Sequence, residues 1–238
     1  MKKKLILILA VIVIIFLLFF GAFKLMNART FQLFGGLTEK VETNQKVVAL
    51  TFDDGPTENV DDIIALLKKY DIKATFFLIG HEMEENPEEA KKLVEEGHQI
   101  GNHTYSHHRM IMKSPSFIKE EIEKTDELIR KAGYSGEIDF RPPNGKKIVG
   151  LPYYLSKHDR DTIMWNIEPD TFYTDADDKI KYVNDHVIPG SIILMHAMYD
   201  KTGEELKALE GVIQSLSDEG YSFVTVNELQ ELNGQYYS

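Results

Sequence analysis

The sequence predicts an α/β domain built on parallel β-strands, preceded by one membrane-spanning helix. After Lys46, apolar runs of strand length alternate about seven times with runs of helical periodicity, a pattern typical of a parallel sheet. Before that point, residues 5–23 form an unbroken apolar run. Since 43% of the 238 residues are hydrophobic and 27% are charged, the chain can bury one large core.

The apolar run at residues 5–23 has the length of a transmembrane helix. At about 1.5 Å per residue it spans nearly the ~30 Å hydrocarbon core of a bilayer. A secretory signal peptide is the alternative, but its apolar stretch is usually ~7–15 residues long and ends at a small-residue cleavage site. The following segment, GAFKLMNART, shows no clear site, so we expect an uncleaved anchor. Lys2, Lys3 and Lys4 place the N-terminus in the cytoplasm and the rest outside.

Three regions follow from this pattern: residues 1–24 as cytoplasmic tip and anchor, residues 25–45 as a stalk that leads into the domain, and residues 46–238 as the domain itself. Taking the four lysines of the first region from the 27 basic residues leaves 23 against 38 acidic ones, a balance of −15. Such a charge argues against nucleic acid as a partner. The chain has no cysteine, which excludes disulfides, thiolate catalysis and Cys-based zinc sites.

The first half of the domain opens with an apolar, β-branched run at residues 46–52, which predicts a fully buried strand. It ends in Asp53, Asp54, Gly55 and Pro56, and in isolation these residues are typical of a turn. The periodicity and the Pro and Gly positions then predict a helix over 60–70, a strand over 73–79, a helix over 87–96, a short strand over 98–101 and a long helix over 114–133.

The second half repeats the pattern. It predicts a strand stub over 137–140, a helix over 147–157 with a break at Pro152, a strand over 162–165, a helix over 178–186, a strand over 191–195, a helix over 203–217, a last strand over 222–226 and a closing helix over 226–232. Seven strands form either an open doubly wound sheet or an incomplete barrel, and periodicity does not distinguish them.

Polar side chains follow almost every predicted strand. The carboxyl ends of parallel strands share one face, which holds the active site in folds of this class. We therefore expect these residues to lie together. They are Asp53, Asp54, His103, His107, Arg141, Glu168, Asp170 and His196.

His103 and His107 have a spacing that suits metal binding. At i and i+4 they are expected on one side of a helical turn. Together with Asp54 they make a two-histidine, one-carboxylate set that leaves a position for water, as catalytic zinc sites do. Asp53 is then free to act as a general base towards that water.

The residues at these strand ends resemble those of the polysaccharide deacetylases of carbohydrate esterase family 4, the NodB-homology domain. The resemblance covers about residues 46–232 and rests on five motifs in order: TFDDG at 51–55, HTYSH at 103–107, RPPNG at 141–145, the region 165–172, and LMH at 194–196. It implies a distorted, incomplete (β/α) barrel of about seven strands that hydrolyses N-acetyl groups of an amino-sugar polymer, with residues 46–238 as the catalytic domain.

The resemblance also implies a role for each matching residue. Asp53 is expected to be the general base, and Asp54, His103 and His107 the ligands of one divalent metal ion, with zinc first and cobalt, manganese or nickel as alternatives. The other expected roles are Arg141 orienting the base, the N–H of Asn144 stabilising the oxyanion, Leu194 lining the acetyl pocket and His196 acting as general acid. Apart from the resemblance, the rings of Tyr153, Tyr154, Trp165 and Tyr173 could stack on sugars, with packing at the barrel rim as the equal alternative, and Trp165 is the substrate-binding candidate.

The fourth motif departs from the family pattern. Where the family has an Asp soon after the tryptophan and then an Asp-Trp pair, this chain reads WNIEPDTF. Glu168 stands at the first Asp position, Thr171 at the second and Phe172 at the tryptophan, while Asp170 fits only with a shift. Either Glu168 or Asp170 could orient His196. We expect this departure to alter the edge of the substrate groove, where Phe172 could still form an apolar wall, rather than to abolish activity.

These observations favour a membrane-anchored, metal-dependent deacetylase that acts outside the cell on N-acetylglucosamine-containing polymer. Peptidoglycan is the first expectation because the enzyme is tethered beside it, followed by chitooligosaccharide or exopolysaccharide. The alternatives are a catalytically inactive glycan-binding module of the same fold and a cyclic-amide hydrolase on a related barrel. If the apolar segment is cleaved, the protein is secreted. The sequence does not indicate an oligomeric state.

Overall fold

The structure, a computed structural model, describes residues 2–235. An N-terminal helix, α1 (Lys2–Asn27), precedes an alternation of strands and helices. The strands are β1 (Leu37–Thr38), β2 (Val47–Asp53), β3 (Thr75–Leu78), β4 (Gln99–Asn102), β5 (Thr162–Ile163), β6 (Ile192–Met195) and β7 (Ser222–Val224). The remaining helices are α2 (Val60–Lys69), α3 (Gly80–Glu85), α4 (Pro87–Glu95), α5 (Pro115–Lys131), α6 (Gly150–Lys157), α7 (Ala176–His186), α8 (Glu204–Asp218) and α9 (Val226–Gln235).

The central strand is β2, which pairs in parallel with β3, β6 and β7. β4 continues the sheet beyond β3, again in parallel. Every residue of β2 is buried, because helices cover the outer face of the sheet and the barrel interior covers the other. This explains why the strand is a continuous apolar run rather than an alternating one.

The sheet closes on itself through thin pairing on one side. β1 and β5 form a short parallel pair. Single bridges link Asn102 to Phe140, Phe140 to Thr162, and Ile167 to Ile193, so that β4 is connected through β5 to β6. The prediction of a distorted, incomplete barrel of about seven parallel strands with one apolar helix in front of it is confirmed.

Three local predictions were wrong. The strand stub at 137–140 is reduced to the bridges at Phe140. The helix predicted from residue 147 begins at Gly150 and continues through Pro152, since a proline in the first turn interrupts no intrahelical hydrogen bond. Residues 103–107, expected to make a helical turn, are irregular.

Part of the segment predicted as a stalk packs onto the barrel. Leu37–Thr38 form β1, and the side chain of Val41 is buried in the core. α1, by contrast, has no buried residue. With 26 residues, most of them apolar, it is long and apolar enough to cross a membrane.

Candidate active site

Nine of the eleven predicted site residues line one cavity of about 360 Å³ at the carboxyl ends of the strands. The other two lie just outside its lining. Arg141 is fully buried against Asp53, and Asp170 lines a neighbouring cavity of about 690 Å³ that shares Glu168, Thr171 and His196 with the first. The strand-end residues thus lie together, as a parallel sheet predicts.

The turn after β2 gives two adjacent carboxylates different surroundings. Asp54 and Gly55 both adopt left-handed backbone, with φ of +74° and +69°, and a Cβ at Gly55 would lie 2.8 Å from Met198 Cγ. A left-handed non-glycine residue is strained and is maintained by the structure around it. Both carboxylates line the cavity, but Asp53 is buried at 3% exposure, whereas Asp54 is more exposed.

Asp53 is held by Arg141. The Arg141 Nη1 donates to Asp53 Oδ1 at 2.7 Å and to Thr51 Oγ1 at 2.8 Å, while its Nη2 donates to Met164 O at 3.0 Å. Burial alone would raise the pKa of Asp53, but the charges of Arg141 and then His103 outweigh it and hold the pKa below its ordinary value. Asp53 is therefore an ionised carboxylate in a fixed orientation, able to accept a proton.

Asp54 faces both histidines. Its Oδ1 lies 3.4 Å from His107 Nε2 and 3.8 Å from His103 Nε2, and this buried oxygen has no hydrogen-bond partner among the described residues. The Nδ1 of His103 lies 2.8 Å from the Arg141 carbonyl oxygen, which fixes the ring and leaves Nε2 facing Asp54. Burial lowers the pKa of both histidines, which favours the neutral form that binds metals.

These three residues fit a divalent cation. Their ligand atoms all lie within 4.8 Å of one another, and two ligands about 2.1 Å from one tetrahedral ion would be about 3.4 Å apart. The imidazole and carboxylate set suits zinc and its neighbours in the first transition row. A loop with left-handed Thr104 and His107 brings the two rings together. The prediction that a helical turn would do so was wrong.

His196 contacts Asp170 rather than Glu168. Asp170 Oδ2 lies 2.9 Å from His196 Nδ1 and accepts a hydrogen bond from the His196 backbone N–H at 2.9 Å. Burial would lower the pKa of His196, but the hydrogen bond to Asp170 and the charge of Asp53 outweigh it and raise the pKa to about 9. Glu168 instead accepts from Trp165 Nε1 at 2.8 Å. A 3-10 turn at Pro169–Thr171 produces the shift that places Asp170 at His196.

Lys179 supports Asp170 and was not predicted. Its Nζ lies 2.8 Å from Asp170 Oδ1 and also pairs with Glu205 of α8. The side chain is buried at 2% exposure. A signal for it existed in the sequence, because Lys179 falls on the same helical stripe as the buried residues Ala176 and Val183.

The loop after Arg141 forms another wall of the cavity. Asn144 is left-handed, with φ of +54°, and its Oδ1 accepts from Arg109 Nε at 3.0 Å. Leu194 and Trp165 also line the cavity and are nearly fully buried. Phe172, expected to form an apolar wall, is 62% exposed and packs instead against the rings of Tyr173 and Tyr182.

Three basic residues that line the cavity were also missed. They are Arg29, Arg109 and Lys146. Arg109 and Lys146 closely follow the motifs at 103–107 and 141–145, which was the available signal. Arg29 had none, since it lies in the segment predicted as a stalk, 139 residues from Glu168, to which it donates at 2.9 Å. Only the folded chain brings them to one opening.

Comparison with known proteins adds to this geometry. The polysaccharide deacetylase family matches residues 40–162. The chain is 35% identical over 204 residues to the peptidoglycan-N-acetylmuramic acid deacetylase PdaC of Bacillus subtilis, covering 83% of this chain and 41% of PdaC. The chain thus spans less than half the length of that relative.

Two solved structures have the same fold. The Bc1960 peptidoglycan N-acetylglucosamine deacetylase, in complex with a naphthalenyl N-oxidanyl-benzamide, superposes with a TM-score of 0.75 at 33% identity, covering 80% of this chain and 91% of that one. BA3943 of Bacillus anthracis, described as a carbohydrate esterase family 4 pseudoenzyme, superposes with a TM-score of 0.73 at 31% identity, covering 80% and 67%.

Proposed function

The chain belongs to the polysaccharide deacetylase family, and from this premise we propose that it hydrolyses the N-acetyl groups of peptidoglycan. One observation carries the proposal. A carboxylate held by an arginine, a histidine held by a carboxylate, and a two-histidine, one-aspartate cluster all face the same cavity. Amide hydrolysis needs a base, an acid and an electrophile in one place.

In this proposal Asp53 takes a proton from the attacking water while Arg141 keeps the carboxylate ionised and oriented. The C–N bond of the acetamido group breaks as His196 donates its proton to the leaving amine nitrogen, giving acetate and a free amino sugar. Asp170 holds His196 Nδ1, so that Nε2 is the donating atom. The N–H of Asn144 is proposed to stabilise the developing oxyanion, with Leu194 against the acetyl methyl group and Trp165 as a wall for the sugar.

Asp54, His103 and His107 are proposed to hold one divalent cation, with zinc as the first choice. When bound there, such an ion polarises the acetyl carbonyl and makes a water easier to deprotonate. The unpartnered Asp54 Oδ1 between two imidazoles supports this assignment.

The catalytic domain is proposed to lie outside the cell, with α1 as the anchor and the N-terminus in the cytoplasm. The apolar length of α1 and the lysines at positions 2–4 support this orientation. Relatives named for peptidoglycan deacetylation support the choice of polymer.

The test is acetate release from purified peptidoglycan and from chitooligosaccharide by zinc-loaded protein, with and without a chelator. We expect release that stops with chelator, returns with zinc and is absent in the His196→Ala variant. No release from either polymer, or release that is unaffected by the variant, would contradict the proposal.

A glycan-binding protein without activity is the second candidate. The altered fourth motif, with Thr171 and Phe172 at the Asp-Trp positions, and the similarity to the BA3943 pseudoenzyme favour it. The intact set of base, acid and metal-ligand candidates favours catalysis instead. Saturable binding of peptidoglycan oligomers without turnover by the zinc-loaded protein would support the second candidate.

A further inference from the structure

The active-site cavity is lined by as many basic as acidic side chains, although the protein as a whole is strongly acidic. Arg29, Arg109 and Lys146 line the cavity, whereas the chain beyond residue 24 carries 23 basic and 38 acidic residues. In a domain with that excess of carboxylates, three cations at one opening are unexpected from composition.

Two of these cations have no carboxylate partner among residues 2–235. Arg109 is tied to the side-chain oxygen of Asn144, and the Nζ of Lys146 donates to the Asn27 side-chain oxygen. Within the part of the chain that the structure describes, no carboxylate lies within 4.0 Å of either one. Arg29 differs, since it pairs with Glu168 and lies over the Trp165 ring, 4.7 Å from its centroid.

The three cations also repel one another. Burial, followed by the charges of Arg109 and Arg29, lowers the pKa of Lys146. Holding the charges of Arg109 and Lys146 near each other and near Arg29, with no carboxylate on either of the first two among the described residues, costs free energy. An anion bound between them would remove that cost.

We propose that the site selects anionic glycans, with Arg109 and Lys146 binding a carboxylate or phosphate on the sugar beside the acetamido group that is hydrolysed. Arg and Lys form their strongest hydrogen bonds with such oxyanions. A neutral N-acetylglucosamine chain would leave both cations unpaired. This inference rests on the proposed deacetylase function, since it defines the substrate class of the same site.

The experiment compares matched substrates on the full-length protein in zwitterionic lipid nanodiscs. The substrates are peptide-free glycan strands with free muramic acid carboxylates, the same strands with these carboxylates converted to methyl amides, chitotetraose, and chitotetraose carrying a 6-phosphate. The variants are Arg109→Gln and Lys146→Gln. Lys119→Gln, an exposed lysine on α5 that lies outside this cavity, is the control.

We expect each cavity variant to raise KM for the carboxylate strands about tenfold, with kcat changed less than twofold. KM for the amidated strands and chitotetraose should stay constant, and Lys119→Gln should change nothing. A response confined to the phosphorylated oligomer would identify phosphate as the anion. Equal KM changes on neutral and anionic substrates, or none on either, would overturn the inference.

A measurement of glycan binding tests anion selection independently of acetate release. Titration calorimetry of the carboxylate strands and chitotetraose, on an Asp53→Asn background, should show about tenfold weaker binding of the anionic strands alone in the two cavity variants. If no substrate releases acetate, the proposed function fails, while this comparison still supports or overturns anion selection.

Discussion

Asp53 and Asp54 differ by one position in the chain and have different electrostatic environments. The first is buried and paired with Arg141, which holds its pKa low, whereas burial raises the pKa of the second, which faces two imidazoles. The left-handed backbone at Asp54 and Gly55 separates them. Single-residue changes should therefore separate proton transfer from metal binding.

Replacing Asp53 by Asn should remove the proposed base and keep the metal. We expect acetate release to fall by about 10²–10⁴-fold, the usual contribution of a general base, with zinc content unchanged by elemental analysis. The matched variant His103→Ala should lose zinc as well as activity. If Asp53→Asn instead loses the metal, the two aspartates have the opposite roles.

The contact between His196 and Asp170 predicts a pH effect. The pKa of His196 is raised to about 9, so the proposed acid stays protonated through neutral pH and activity should decline only as pH rises through about 9. Asp170→Asn removes the carboxylate charge. This decline should then move to lower pH by a unit or more, with kcat reduced at pH 8.

Glu168→Gln is the control for that pH profile. Glu168 contacts Trp165 and Arg29, not His196. Its substitution should leave the alkaline limb in place. A shift with Glu168→Gln and none with Asp170→Asn would show that Glu168 is the residue that tunes the acid.

At the scale of elements, buried polar contacts join parts of the barrel that have little strand pairing. Gln99 of β4 donates to Asp139 Oδ2 at 2.9 Å and to Asn227 of α9 at 2.8 Å. Asp139 lies just before Phe140, where the sheet is held by single bridges. A buried polar network therefore spans the weakest side of the barrel.

Asp139→Asn should stabilise the protein at alkaline pH. Burial raises the pKa of Asp139 from 3.8 to about 7, so between pH 4 and 7 the folded state holds a proton that the unfolded state has lost. Stability therefore falls as pH rises through this window. The variant should escape this loss and be more stable at pH 8 by a few kcal/mol, at about 1.4 kcal/mol per pKa unit.

Denaturant unfolding at pH 4 and pH 8 measures this difference. Asp62→Asn, at an exposed position on α2, is the control and should change stability little at either pH. An Asp139→Asn protein that loses stability equally at both pH values would contradict the explanation.

Lys179 connects three elements and should be important for stability. It pairs with Asp170 in the 3-10 turn and with Glu205 of α8. Lys179→Met removes the cation that pairs with Glu205 and leaves Asp170 with His196 as its one remaining cationic partner among the described residues. We expect a loss of about 3 kcal/mol in unfolding free energy. Adding Glu205→Gln should recover part of it. A Lys179→Met protein as stable as wild type would show that the pair contributes nothing.

At the scale of the whole molecule, the fold predicted from the sequence was right, whereas some of the local structure predicted with it was wrong. The apolar run of β2 and the polar residues at strand ends were sufficient to predict that these residues lie together, because parallel topology brings those ends to one face. His103 and His107 both face Asp54, but a loop rather than a helix brings them there. Arg29 was not predictable, since it lies in the segment predicted as a stalk, follows no strand and joins the site only through its contacts in the folded chain.

The anchor yields a prediction for the intact protein. Because no residue of α1 is buried, deleting residues 2–27 should move the protein from the membrane fraction to the soluble fraction with a melting temperature lowered by only a few degrees. Protease added to wall-stripped cells should digest the full-length domain. A full-length protein already released into the medium would indicate a cleaved signal peptide, and a protected domain would reverse the topology.

The end of α1 contacts the active-site loop through Asn27 and Lys146, and this contact limits how far the cavity can lie from the helix. Arg29, which lines the cavity, follows the end of α1 by two residues, and two residues extend at most about 7 Å. Residues 24–27 of α1, beyond the apolar run, add about 6 Å. If the apolar run spans the bilayer as proposed, Arg29 therefore stays within about 1.5 nm of the membrane face on the catalytic domain's side. Glycan strands would then be modified while they are new and near the membrane, and older layers of the wall would be out of reach however active the enzyme is.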